Sequence, residues 1–118
     1  MPKILIIDDE KGICEEFKEI LEEEGHQVTI AHNGPDGLKL IQSNEFDLIF
    51  LDVLMPRMEG NEVFARIKEM KNIPVVIMSG FLPANKEKDI LALGAVACLR
   101  KPLNLDRVRK IIQEVHTK

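Results

Sequence analysis

The sequence predicts an α/β fold: one domain over residues 1–118, built as a doubly wound, five-stranded parallel sheet in the order 2-1-3-4-5. Three observations carry this expectation. Short apolar runs alternate with amphipathic segments through five strand–helix cycles, which is the pattern of parallel strands joined by crossover helices. Three of the runs, ending at Ile7, Leu51 and Met78, are apolar throughout, as strands covered on both faces must be. The remaining two are more polar or shorter, which suits the edges of a sheet.

Ile4-Leu5-Ile6-Ile7 is the first strand and ends at Asp8-Asp9. Ile13, Phe17, Ile20 and Leu21 then recur at helical spacing among glutamates, and Gly25 stops that helix. Gln27-Val28-Thr29-Ile30 alternates polar and apolar and reads as an edge strand. Gly34-Pro35-Asp36 opens the second helix, where a first-turn proline is tolerated, and Leu38 and Ile41 mark its inner face. Leu48-Ile49-Phe50-Leu51 is a fully apolar strand ending at Asp52. A loop holding Pro56 and Gly60 leads to a third helix lined by Val63, Phe64, Ile67 and Met70. Pro74 to Met78 is the next buried strand, ending at Ser79-Gly80. Pro83 to Leu93 is the weakest helical pattern, stopped by Gly94. Ala95 to Leu99 is a short last strand, ending at Arg100-Lys101-Pro102. Asn104 caps a final helix with Val108, Ile111, Ile112 and Val115 on one face.

Composition narrows the function classes. Sixteen Lys and Arg against twenty Asp and Glu give a net charge of −4, which argues against nucleic-acid binding through overall charge. With neither Trp nor Tyr, there is little to stack on a base. Cys14 and Cys98 lack the spacing of a zinc site and read as reduced thiols of a cytoplasmic protein. The N-terminal apolar run is too short for a signal peptide, and no run approaches the length of a membrane span.

In an open parallel sheet, ligands bind at the carboxyl ends of the strands, where the strand order reverses. The sequence places Asp8 and Asp9 after the first strand, Asp52 after the third, Ser79 at the end of the fourth and Lys101 after the fifth. Singly, each is ordinary turn or cap chemistry; four strands delivering polar groups to one edge is a different matter. Crowded carboxylates repel unless a cation neutralises them, and oxygen-only ligands suit Mg²⁺. A carboxylate beside Mg²⁺ can attack a phosphoryl group to form an aspartyl phosphate, with a lysine and a hydroxyl balancing the phosphoryl oxygens. Asp52, the central single carboxylate, is the best nucleophile.

These residues resemble the receiver domain of two-component response regulators. The resemblance rests on Ile4 to Glu10, Asp47 to Pro56 with Gly60, Pro74 to Gly80 and Lys101-Pro102, and it covers essentially the whole chain. It implies a flavodoxin-like receiver fold. It also implies that Asp52 accepts a phosphoryl group from a phosphohistidine on a histidine kinase or phosphotransfer protein. Mg²⁺ would be held by Asp9, Asp52 and the backbone carbonyl of Leu54, with Asp8 acting mainly through water. Ser79 would hydrogen-bond the phosphoryl group, Lys101 would pair with it, and the Lys101–Pro102 bond would be cis. Phosphorylation would shift the face formed by the fourth helix, fifth strand and fifth helix to control an output partner. Such a chain is not a conventional enzyme, since it catalyses only its own phosphorylation and dephosphorylation. Its receiver pattern leaves no room within residues 1–118 for an output domain.

The sequence departs from the receiver pattern at Cys98, where the family carries an aromatic side chain that a thiol cannot replace in volume. Leu54 and Phe81, which flank the phosphorylation site in receivers, are both apolar here and point to slow self-dephosphorylation. Ile13 and Leu103 match positions that dock histidine-bearing helices. Two other functions compete. One is a Mg²⁺-dependent phosphohydrolase, whose nucleophile would follow the first strand at Asp8. The other is an interaction module that works without phosphate.

Overall fold

The computed structural model describes residues 2–53, 60–80 and 84–116. The chain alternates strand and helix throughout: β1 (Lys3–Ile7), α1 (Lys11–Glu23), β2 (Gln27–Ala31), α2 (Gly34–Ser43), β3 (Leu48–Asp52), α3 (Gly60–Met70), β4 (Val75–Ser79), α4 (Ala84–Ala92), β5 (Ala97–Arg100) and α5 (Leu105–His116). The five strands form one parallel sheet in the order β2-β1-β3-β4-β5. The predicted architecture and strand order are therefore the observed ones.

The sheet divides its side chains by the two-residue period of a strand. Leu5, Ile7, Ile49, Leu51, Val75, Ile77 and Cys98 face one side, where they pack on Leu38 and Ile41 of α2 and on Val63, Phe64 and Ile67 of α3. Ile4, Ile6, Leu48, Phe50, Val76, Met78, Ala97 and Leu99 face the other, against Cys14, Phe17 and Leu21 of α1 and Val108, Ile111 and Ile112 of α5. Phe17 meets Phe50 edge to face, with ring centroids 5.1 Å apart. Two layers of helix thus bury both faces of β1, β3 and β4.

Local chemistry sets the element ends. Gly25 and Gly94 have φ of +94° and +110°, so each helix ahead of them ends in a conformation that suits glycine. Asn33 precedes α2, and its side chain accepts the Asp36 N–H at 2.8 Å. Asn104 accepts the Arg107 N–H at 3.1 Å, as the sequence predicts. Three expectations shift in detail. Gly60 is the first residue of α3 rather than part of the preceding loop, and β5 begins at Ala97 instead of Ala95. Ile13 is 44% exposed, and Cys14 takes the inward position on α1; α1 is rotated so that Cys14, Phe17 and Leu21 form its core stripe.

Candidate phosphoacceptor site

The carboxyl ends of β1, β3, β4 and β5 line one edge of the sheet. Asp8 and Asp52 continue the alternation of Ile4–Ile6 and Leu48–Phe50, so both emerge toward the side of α1 and α5. Both are buried, 1% and 2% exposed, and so is Ser79. Asp52 is in register with Met78, which puts Ser79 one residue further along the neighbouring strand. The Ser79 carbonyl accepts the Lys101 N–H at 2.8 Å, so the β4–β5 ladder itself delivers Lys101 to this edge. The Lys101–Pro102 bond is cis, matching what the family resemblance implies.

Lys101 is the hub. Its Nζ lies 2.7 Å from Asp8 Oδ2, 2.7 Å from Glu10 Oε1 and 3.1 Å from Asp52 Oδ2. An ammonium carries three N–H donors, and three carboxylates take them. Burial pushes the lysine toward neutrality, but the hydrogen bonds to Asp8, Glu10 and Asp52 outweigh it and hold the group charged well above the ordinary lysine range.

Asp8 is held by every polar atom it has. Its N–H donates to the Ala31 carbonyl at 3.0 Å, continuing the β1–β2 ladder. Its carbonyl oxygen accepts the Cys14 thiol at 3.4 Å and faces His32 Nδ1 at 3.2 Å. Oδ1 accepts the Glu10 N–H at 3.0 Å, which leaves Oδ2 for Lys101. Asp8 therefore sets the turn into α1. Glu10 is the residue before that helix and makes no side-chain cap, because its carboxylate turns to Lys101 instead.

The carboxylates of Asp8, Glu10 and Asp52 come together, each offering an oxygen within 4.8 Å of the others. Asp9 is half-buried and lies outside that trio. Glu10 is a site residue that sequence reasoning passed over. Its only signal was the third consecutive acid after β1, which reads equally well as a solvated helix start. Leu54 and Phe81 lie outside the described residues.

Three carboxylates against one ammonium leave two negative charges in this cluster. The donors are all hard oxygens. That charge and that donor set fit a divalent cation such as Mg²⁺. Cys98 is buried in β5 on the α2–α3 side, and burial pushes its thiol pKa up. Cys14 is pushed up to about 12, first by burial and then by the nearby Asp8 charge. Both cysteines are free thiols, and both stay protonated near neutrality.

A buried aspartate on the central strand and a charged lysine on the outer strand, with an acidic cluster between them on a 2-1-3-4-5 sheet, make up the arrangement that the resemblance to receiver domains implies. The comparisons agree. The profile of the response regulator receiver domain matches residues 4–113, so the chain belongs to the receiver domains of two-component response regulators. It is 34% identical over 113 residues to sporulation initiation phosphotransferase F of Bacillus subtilis, covering 95% of this chain and 91% of that protein. It is also 34% identical over 123 residues to the transcriptional regulatory protein CpxR of Escherichia coli, where it covers 98% of this chain but only 51% of the relative. Among solved structures, the receiver domain of the Francisella response regulator 1452 superposes with a TM-score of 0.92 at 30% identity, over the whole of both chains. The response regulator TrrA of Thermotoga maritima, solved in complex with Mg²⁺-BeF, superposes with a TM-score of 0.86 at 31% identity, over 98% of this chain and 99% of that one. Among the described residues, no helix is long and apolar enough to cross a membrane.

Proposed function

We propose that the chain is a phosphorylation-dependent signalling switch in which Asp52 is the phosphoacceptor. The observation that carries this reading is the Asp52 carboxylate at the end of the central strand, 2% exposed and 3.1 Å from the Lys101 ammonium. In the reaction, an Asp52 carboxylate oxygen attacks the phosphorus of a phosphohistidine on a histidine kinase or phosphotransfer protein. The P–O bond forms as the P–N bond breaks, and the imidazole leaves with the electron pair and takes up a proton. Lys101 then balances charge on the phosphoryl oxygens, and the Ser79 hydroxyl donates to one of them. Asp9, Asp52 and the Leu54 carbonyl would hold Mg²⁺, with Asp8 acting mainly through water, and the ion when bound neutralises charge on the transferring group. Asp8 spends one oxygen on the α1 turn and the other on Lys101, which suits a supporting role at the site.

A groove of about 260 Å³ adjoins the site, lined by Ile13, Phe17, Ile20, Pro102, Leu103 and Leu105 together with Lys101 itself. Its apolar floor suits the phosphodonor's helix, and Glu16 in its lining favours a partner with a basic residue opposite. Phosphorylated Asp52 would draw Ser79 and Lys101 inward and shift the α4–β5–α5 face that meets an output protein or domain.

Mass spectrometry after treatment with acetyl phosphate and Mg²⁺ tests the assignment. The wild type should gain one phosphoryl group and Asp52→Ala none. A wild type that gains nothing, or a variant that still gains one, overturns it.

A further inference from the structure

We propose that His32 is a positioning residue for the metal: its imidazole N–H clamps the Asp8–Asp9 peptide and so holds the Asp9 carboxylate where Mg²⁺ is to meet it. This rests on the phosphoacceptor reading, which gives Asp9 to the ion, and adds to it a residue from outside the acidic cluster.

Asp9 sits between two held peptide groups. Ahead of it, the Asp8 carbonyl faces His32 Nδ1 at 3.2 Å and accepts the Cys14 thiol at 3.4 Å. Behind it, the Glu10 N–H donates to Asp8 Oδ1 at 3.0 Å. Among the described residues, the Asp9 carboxylate itself takes no hydrogen bond and no ion pair. Its direction is therefore that of its backbone. A peptide group is planar, so a plane free to rock at the Asp8 carbonyl would carry the Asp9 side chain with it.

The imidazole is the stronger of the two clamps. A carbonyl oxygen only accepts, so Nδ1 carries the proton and Nε2 of the neutral ring is left bare. An N–H at this distance makes an ordinary hydrogen bond, whereas a thiol is a weak donor. The ring is itself placed from both sides. Ala31 before it accepts the Asp8 N–H at 3.0 Å, which ties the end of β2 to β1. Asn33 after it caps α2 through the Asp36 N–H at 2.8 Å. His32 thus joins the edge strand to the peptide that opens the site. Removing the imidazole breaks neither the β1–β2 ladder nor the Asn33 cap, so its loss is felt at Asp9 before it is felt by the fold.

The test titrates Mg²⁺ into the full chain, with no phosphodonor present, and follows the amide resonances by NMR. His32→Ala should weaken Mg²⁺ binding about three- to tenfold, the span of one hydrogen bond. His32→Asn puts an amide N–H where Nδ1 stood and should restore the affinity to within about twofold of wild type. Ile67→Val, a core truncation on α3, should lower the urea midpoint and leave Mg²⁺ affinity unchanged, which separates a clamp from general loss of stability. In the wild type without Mg²⁺, long-range ¹H–¹⁵N spectra should show the proton of the neutral His32 ring on Nδ1. Wild-type affinity in His32→Ala overturns the proposal, and so does a ring proton on Nε2. An equal loss in His32→Ala and His32→Asn also overturns it, by assigning the effect to the bulk of the ring. A comparable loss in Ile67→Val does the same, by assigning it to stability. A wild type that binds no Mg²⁺ rejects the metal-assisted phosphoacceptor reading and the clamp with it, an outcome that the wild-type titration alone identifies.

Discussion

Asp9 and Glu10 are adjacent acids after β1, and the fold treats them differently. The turn set by Asp8 Oδ1 on the Glu10 N–H aims Glu10 at Lys101, while Asp9 stays half-buried beside the trio. Cys98 shows the same dependence on place. It is a small thiol packed among the α2–α3 core residues, where the family pattern has an aromatic side chain. On the proposed reading, switching would run through Ser79 and Lys101 rather than through a ring that turns. At this scale the apolar Leu54 and Phe81 carry a prediction. Hydrolysis of an aspartyl phosphate needs a positioned water, and neither side chain can orient one. Leu54→Asn combined with Phe81→Glu should speed decay of phosphorylated Asp52 in Mg²⁺ on the order of tenfold, modest for a positioned polar group. Equal decay rates in phosphate-release measurements would sink the idea.

Two helical glycines show how an element responds to its surroundings. Gly12 lies in the first turn of α1, and a Cβ built there meets nothing within 4 Å. Gly37 lies in α2, and a Cβ there would come within 2.6 Å of Ile7 Cδ1 and 2.9 Å of its Cγ1. Ile7 is fully buried in the sheet, so it has little room to yield. The same substitution should therefore have opposite signs. Gly12→Ala should stabilise by about 0.5 kcal/mol through helix propensity. Gly37→Ala should destabilise by about 1–2 kcal/mol, because overpacking exceeds the propensity gain. Urea unfolding of both variants reads the signs directly, and a stabilised Gly37→Ala would refute the close approach of α2 to β1. α4 is a further contrast: between Asn85 and Ala92 no residue is fully buried, and Ile90 alone packs partly against the core. That is the physical content of its weak helical pattern.

For the whole molecule, alkaline pH is the informative variable. The folded state holds the Cys14 thiol neutral up to about 12, whereas an ordinary thiol ionises near 9.0. Lys101 is likewise held protonated above its ordinary value of 10.5. Both raised values act in the same direction: the folded chain binds protons that the unfolded chain has lost. Their stabilisation is complete below pH about 9 and declines as pH rises toward the folded values. Urea midpoints at pH 7, 9 and 10 should fall only over the last interval, and Cys14→Ala should flatten that fall. A midpoint constant to pH 10 would contradict the buried thiol. The sequence by itself determined the five strand–helix cycles, the strand order, both glycine helix stops and the set of strands that carry acid, hydroxyl and lysine. Those features are written in local periods and in residues with special backbone freedom, so a short window suffices to read them. Only the tertiary structure decided that Cys14 rather than Ile13 faces the core. It alone decided which acids share Lys101, because that contact joins residues 93 apart and depends on how the β1–α1 turn is aimed. A third acid in a row looks like a solvated helix start until the opposite edge of the sheet brings an ammonium to it.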